Sequence, residues 1–239
     1  MSIIKLDAID STNDYLKQVV REHAVENYTM VLAFDQKKGR GQLNAKWTSE
    51  PGKNLTMSLF VNEFVSVDHT VFDFNVTVAL AIVKVLQQLN IPNTSLKWPN
   101  DIMADGKKVG GILIENTFKP NGTFASIIGI GINLNQTNFE NLPQATSLTC
   151  LTGAIYEIES IALKIKESLQ FHLQLPIDSM WESYLNSLFK INSPSAFEDK
   201  LGNRFMGIIQ TVDREGKLLV LLDDDLIHSY EVKEIKMLF

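Results

Sequence analysis

The chain has 239 residues, 45% of them hydrophobic and 21% charged, with 13 glycines and 7 prolines, a composition that excludes a disordered or fibrous protein. Its 28 acidic against 22 basic residues leave a net charge of −6, so it has no general attraction for nucleic acid or an anionic membrane. The N-terminus carries acid early, the longest apolar run (78–83) stops at Lys84, and Cys150 is alone. No secretory signal, membrane span or internal disulfide is therefore expected, and the cytoplasm is the expected compartment.

Asp10 or Ser11 caps a helix whose apolar stripe, Tyr15, Leu16, Val19 and Val20, runs to about His23. A short strand over 28–34 follows. Residues 36–51 show almost no apolar periodicity, which predicts a loop of about 15 residues, a length usually kept for function. The run 54–61 predicts a buried strand, and 74–89 a helix apolar around most of its circumference, which belongs inside. Extended segments at 95–104 and 108–116 meet across the turn pair Asp105-Gly106, and a strand over 124–134 follows a second such pair, Asn121-Gly122. Helices over 158–173 and 177–189 close the larger region. After Ser193-Pro194 the pattern changes to short strands at 205–212, 217–222 and 226–232, which predict a small β-barrel. The expected architecture is α+β: a mixed or antiparallel sheet with packed helices over 1–192, and the barrel over 193–239.

Two regions carry candidate chemistry. Between Lys37 and Lys53 stand Lys37, Lys38, Arg40, Lys46 and Lys53 against the single acid Glu50, a net +4 in a chain that is acidic overall. Gly39-Arg40-Gly41 lets backbone approach a ligand closely, and the Arg40 guanidinium suits phosphate or carboxylate oxygens, although the same charges also fit a solvated basic loop. In the second region Lys97, Asn100, Asp101 and Lys108 interrupt core strands, where unpaired charge is costly, and Gly110-Gly111 weakens a strand unless something must approach its backbone. Gly129 and Gly131, with Asn133 beyond them, repeat that theme, and bulges or close packing account for these glycines equally well.

Asp10-Ser11-Thr12-Asn13, Gln36-Lys37-Lys38-Gly39-Arg40-Gly41, Lys46-Trp47, Lys97-Trp98-Pro99-Asn100-Asp101, Lys108-Val109-Gly110-Gly111-Ile112-Leu113-Ile114-Glu115 and Gly129-Ile130-Gly131-Ile132-Asn133 stand in the order found in biotin protein ligases. Over residues 10–135 the chain resembles that family, whose members also end in a small SH3-like barrel. The resemblance implies a two-step reaction. Biotin and ATP, the latter with Mg²⁺, form biotinyl-5′-adenylate and pyrophosphate, and a lysine of a biotin carboxyl carrier protein or carboxylase biotinyl domain then takes the biotin as an amide. It assigns Ser11, Thr12, Asn13, Gln36, Arg40, Gly41, Gln42, Lys108 and Gly111 to biotin, and Gly39, Arg40, Lys46, Trp47, Lys97, Asn100 and Asn133 to ATP. It makes Lys108, with Arg40 and Asp101, catalytic: a fixed ammonium stabilises the charge that develops when a carboxylate attacks phosphorus. Asp101 is expected to orient the incoming amine or accept its proton.

No protein-built metal site is expected, because His23, His69, His172 and His228 lack ligand spacing. Some members carry an N-terminal DNA-binding domain, for which there is no room before Asp10, so a ligase without DNA binding, a monomer or homodimer, is expected. One departure stands out: Asn44 occupies the third glycine position of the family loop and Ala45 follows it. Two alternatives stay open, a lipoate–protein ligase of similar catalytic fold and a non-catalytic biotin- or nucleotide-binding protein. The basic loop is expected to be a lid that orders over the ligand.

Overall fold

A computed structural model of the chain describes residues 3–42, 45–64, 70–120, 122–140 and 142–238. It opens with β1 (Ile3–Ile9), α1 (Thr12–Glu22) and β2 (Met30–Gln36), a β-α-β unit in which β1 and β2 pair in parallel. Ser11 caps α1 as expected, accepting a hydrogen bond from the Asp14 N–H. The strand β1 was not expected: neither of its faces is fully buried, so no clean alternation marks it.

The loop at 36–51 is shaped by a small ribbon, β3 (Gly39–Arg40) against β4 (Lys46–Trp47). Asn44 lies outside the described residues, whereas Ala45 closes the ribbon through its backbone, accepting from the Gly41 N–H at 2.7 Å. There follow β5 (Leu55–Phe64) and α2 (Val71–Gln88), the latter set by a capping box between Thr70 and Asp73. The expected single segment at 95–104 is instead a hairpin, β6 (Ser95–Lys97) and β7 (Asp101–Ala104), turning at Trp98-Pro99-Asn100 with a cis Trp98–Pro99 bond. A proline has no N–H to give a ladder, so the run breaks there. The Asp105-Gly106 turn then leads into β8 (Lys107–Phe118). Strand β9 (Phe124–Ile132) follows Gly122, whose φ of 83° suits the anticipated turn; Asn121 lies outside the described residues. After a short helix α3 (Leu148–Thr152), unannounced by any long period, come α4 (Ile158–His172) and α5 (Ile177–Asn186).

These strands form one seven-stranded mixed sheet in the order β1-β2-β5-β9-β8-β7-β6. Period-two alternation divides its faces. Leu55, Met57, Leu59, Ile128, Ile130 and Ile132 point into the main core with α2, α4 and α5. The opposite face carries a smaller core, Leu16, Val31, Phe60 and Ile127, under α1. Helix α2 is the one described helix long and apolar enough to cross a membrane, and most of it is buried in the main core.

The C-terminal segment adds β10 (Pro194–Asp199), β11 (Arg204–Val212), β12 (Leu218–Leu221), β13 (Ile227–Tyr230) and β14 (Ile235–Leu238). They make an antiparallel sheet in the order β13-β12-β11-β10-β14, curled around Phe197, Ile209, Val212, Leu218 and Val220 in the manner of a small SH3-like barrel. Two of its five strands, β10 and β14, were not anticipated. The barrel is seated on the larger sheet: the Trp98 indole N–H donates to Gly216 O at 2.9 Å, and the Arg214 guanidinium lies 4.6 Å over the Trp181 ring.

Candidate active site

The α1-side face of the sheet changes character where β5, β9, β8 and β7 run side by side. Thr56 pairs with Gly131, Gly131 with Gly111, and Gly111 with Asp101; in the next row Ser58 pairs with Gly129 and Gly129 with Leu113. Paired residues share a face, so three glycines and two small hydroxyl residues leave a trough in the middle of the sheet. Above it is a cavity of about 540 Å³, roofed by the β3–β4 ribbon and walled on one side by the C-terminal barrel.

The trough is filled by neighbours that need it empty of side chains. A Cβ on Gly131 would stand 2.5 Å from Trp47 Cε2, and one on Gly129 would stand 2.5 Å from Asn13 Oδ1. The Trp47 ring therefore packs against the floor at Gly131. Its Nε1 is buried with no hydrogen-bond partner, a donor aimed at nothing in the protein.

The charged residues gather at the β6–β7–β8 end. Asp101 bridges two lysines, Lys108 Nζ at 2.5 Å and Lys97 Nζ at 3.3 Å, with Lys97 and Asp101 directly opposite in register. Among the residues that line the cavity, cationic side chains outnumber carboxylates, which leaves net positive charge beside it. Arg40 pairs with Asp14 on α1 and lies 3.6 Å from Glu115 Oε1. Lys46 makes no ion pair among the described residues. Asn100 donates to Ile112 O at 2.8 Å and so fastens the β6–β7 turn to β8.

At the α1 end the cavity is lined by the uncharged groups of Ser11, Thr12, Asn13 and Gln36, with the Arg40–Asp14 pair beside them. Gln36 Oε1 accepts from the Thr12 N–H at 3.0 Å and lies 3.1 Å from its hydroxyl. Asn13 donates from Nδ2 to Glu115 and Leu113 O, so its carboxamide donors are spent on the protein rather than offered to the cavity.

Of the residues singled out from sequence, Ser11, Thr12, Asn13, Gln36, Arg40, Gly41, Gln42, Lys46, Trp47, Lys97, Asn100, Asp101, Lys108 and Gly111 all line this cavity. Two do not. Gly39 is not among the lining residues: it lies in the ribbon, where a Cβ would meet Trp47 O at 2.4 Å and Gln36 Nε2 at 2.6 Å. Asn133 is buried and donates to Thr146 O at 3.0 Å, tying the end of β9 to the segment before α3. The sequence also gave no sign of the barrel's share of the wall, which includes Phe197, Glu198, Lys200, Lys233 and Lys236. Only Lys233 has an unusual backbone, at φ 83°, and that is invisible in a one-letter string.

Residues 6–133 match the model of the Biotin/lipoate A/B protein ligase family. The chain belongs to that family. It is 30% identical over 230 residues to the bifunctional ligase/repressor BirA of Bacillus spizizenii, covering 91% of this chain and 69% of that one. It is 28% identical to the biotin–[acetyl-CoA-carboxylase] ligase of Mycobacterium tuberculosis, over 87% of this chain and 79% of that one. Among solved structures it resembles the biotin protein ligase of Aquifex aeolicus in complex with biotin and ATP, with a TM-score of 0.80, 26% identity, and coverage of 99% and 98% of the two chains.

Proposed function

We propose that the chain is a biotin protein ligase: it activates biotin with ATP to biotinyl-5′-AMP and transfers the acyl group to a lysine of a carboxylase biotinyl domain. The observation that carries this reading is one cavity lined together by the uncharged hydrogen-bonding groups of Thr12, Asn13 and Gln36, the Trp47 ring and the cations Arg40, Lys97 and Lys108. A biotin ring suits the Thr12–Gln36 end. The carboxylate and α-phosphate then fall toward Arg40 and Lys108, and the adenine toward Trp47, whose unpartnered N–H awaits an acceptor.

In the first step the biotin carboxylate attacks the α-phosphorus and pyrophosphate leaves. Lys108 and Arg40 offset the negative charge that builds on the transferred group, acting on the transition state more than on the ground state. Mg²⁺ enters with the nucleotide as part of the substrate. Asp101 holds Lys97 and Lys108 in place as their shared counter-ion. In the second step the acceptor amine attacks the acyl carbon and AMP leaves. The ribbon and the barrel keep water from the mixed anhydride until then.

We assign the catalytic lobe to residues 1–192 and the barrel to 193–239, with the cytoplasm as compartment and no DNA partner. Within the family, the hydrogen-bonding end of the cavity favours biotin over lipoate, since a dithiolane ring has no N–H or C=O to satisfy it. Pyrophosphate exchange into ATP tests the choice: biotin should drive exchange and lipoate should not. Exchange driven by lipoate alone would replace this reading.

A further inference from the structure

Ser58 on β5 is fully buried and does not line the cavity, yet its Oγ lies 2.8 Å from Thr12 Oγ1 and 2.5 Å from Asn13 Oδ1. On the other side of Asn13, Nδ2 donates to Glu115 Oε2 at 2.7 Å and to Leu113 O at 3.3 Å. Counting protons gives this chain of contacts a direction. An ionised carboxylate only accepts, so Asn13 turns its NH₂ to Glu115 and its carbonyl oxygen to Ser58. That oxygen also only accepts. Ser58 therefore spends its one proton on Asn13 and meets Thr12 with lone pairs.

The Thr12 hydroxyl has two neighbours that could take its proton. Gln36 Oε1, at 3.1 Å, already accepts the Thr12 backbone N–H, whereas Ser58 Oγ is nearer at 2.8 Å and has no other donor. The proton goes to Ser58, which leaves Thr12 an acceptor toward the cavity. Every donor in the series points toward Glu115. Burial works against ionisation of that carboxyl, but hydrogen bonds from Lys17 and Asn13, with the charges of Lys17 and Arg40, prevail and hold it below the usual carboxylate range. The terminus of the relay is thus a fixed acceptor.

We infer that Ser58 and Glu115 are positioning residues which, without touching substrate, set Thr12 as a hydrogen-bond acceptor and so select a ligand ring that presents an N–H, as a cyclic urea does. The inference rests on the biotin reading and deepens it. Gln36 completes the complement: with Oε1 turned to Thr12, its Nε2 donors have no partner among the described residues and suit a urea carbonyl.

The test is a coupling between protein and ligand. Affinities of the full chain for biotin, and for the two cyclic carbamate analogues in which one or other ring N–H is replaced by oxygen, are measured by calorimetry. The wild type is compared with Ser58→Ala and Glu115→Gln, and circular dichroism checks that each is folded. In the wild type one carbamate should bind on the order of tenfold more weakly than biotin or worse, because its ring oxygen faces an acceptor. In both variants the Thr12 proton is no longer committed to Ser58 and can be given either to Gln36 Oε1 or to a ring oxygen in the cavity, so that gap should shrink several-fold while affinity for MgATP holds. A purely structural role for Ser58 would lower all three affinities together and leave the gap intact, which would overturn the inference. Glu115→Gln, at a half-buried position, keeps the test alive should Ser58→Ala not fold. A wild type that fails to bind biotin at all would overturn the underlying reading instead.

Discussion

Gly131 has no side chain, and the site depends on that. Its missing Cβ is the space that the Trp47 ring occupies, and Gly131 itself sits on β9, a strand paired on both sides that cannot move aside. Gly131→Ala should therefore lift the indole from the floor and raise the KM for ATP on the order of tenfold, about 1.4 kcal/mol of binding, with little change in the KM for biotin. Steady-state exchange kinetics read this, and an unchanged KM for ATP would show that the ring does not meet the nucleotide. The glycines, Lys108 and Arg40 were legible in the sequence because each is a residue type at odds with its surroundings, a cation or a glycine in an apolar strand or bases massed in an acidic chain, whereas Trp47 stood out only through the family resemblance. Ser58 was not legible. A serine inside an apolar run looks like a tolerated small residue, and only the approach of Thr12 and Asn13 from α1 makes its hydroxyl consequential.

At the level of elements, the long periodic helices and the strands at the centre of the sheet followed from their patterns, but what borders the site did not. The ribbon β3–β4 is two residues against two, too short for periodicity to register, and the β6–β7 hairpin is hidden in a run that reads as a single strand until Pro99. The ribbon is joined to the rest of the site by the Arg40–Asp14 and Lys38–Asp10 ion pairs and by the Trp47 ring against Gly131. A bound carboxylate or phosphate competes with Asp14 for Arg40 and at the same time gives the roof something to close on. Limited proteolysis should thus cut within 37–50 in the empty protein, and biotin with MgATP should suppress that cleavage. Equal cutting with and without ligand would mean that the ribbon does not act as a lid.

Across the whole molecule, the mixed sheet with its two cores and the terminal barrel could be anticipated as a class, whereas the way the barrel sits against the cavity could not. That seating depends on pairs distant in sequence, Trp98 with Gly216 and Arg214 with Trp181 and Asp73, which no local pattern contains. It adds a second wall to the trough, so that the cavity is lined by both parts of the chain, which shields a water-sensitive acyl-adenylate. The central claim is that this cavity joins biotin to a protein lysine and that Lys108 supplies the charge for doing so. Mass spectrometry of a carboxylase biotinyl domain incubated with the chain, biotin and MgATP measures it. The wild type should add one biotinyl group to the carrier, and Lys108→Ala should slow that addition on the order of 10²- to 10³-fold. A carrier left unmodified by the wild type, or modified at the same rate by Lys108→Ala, would contradict the account.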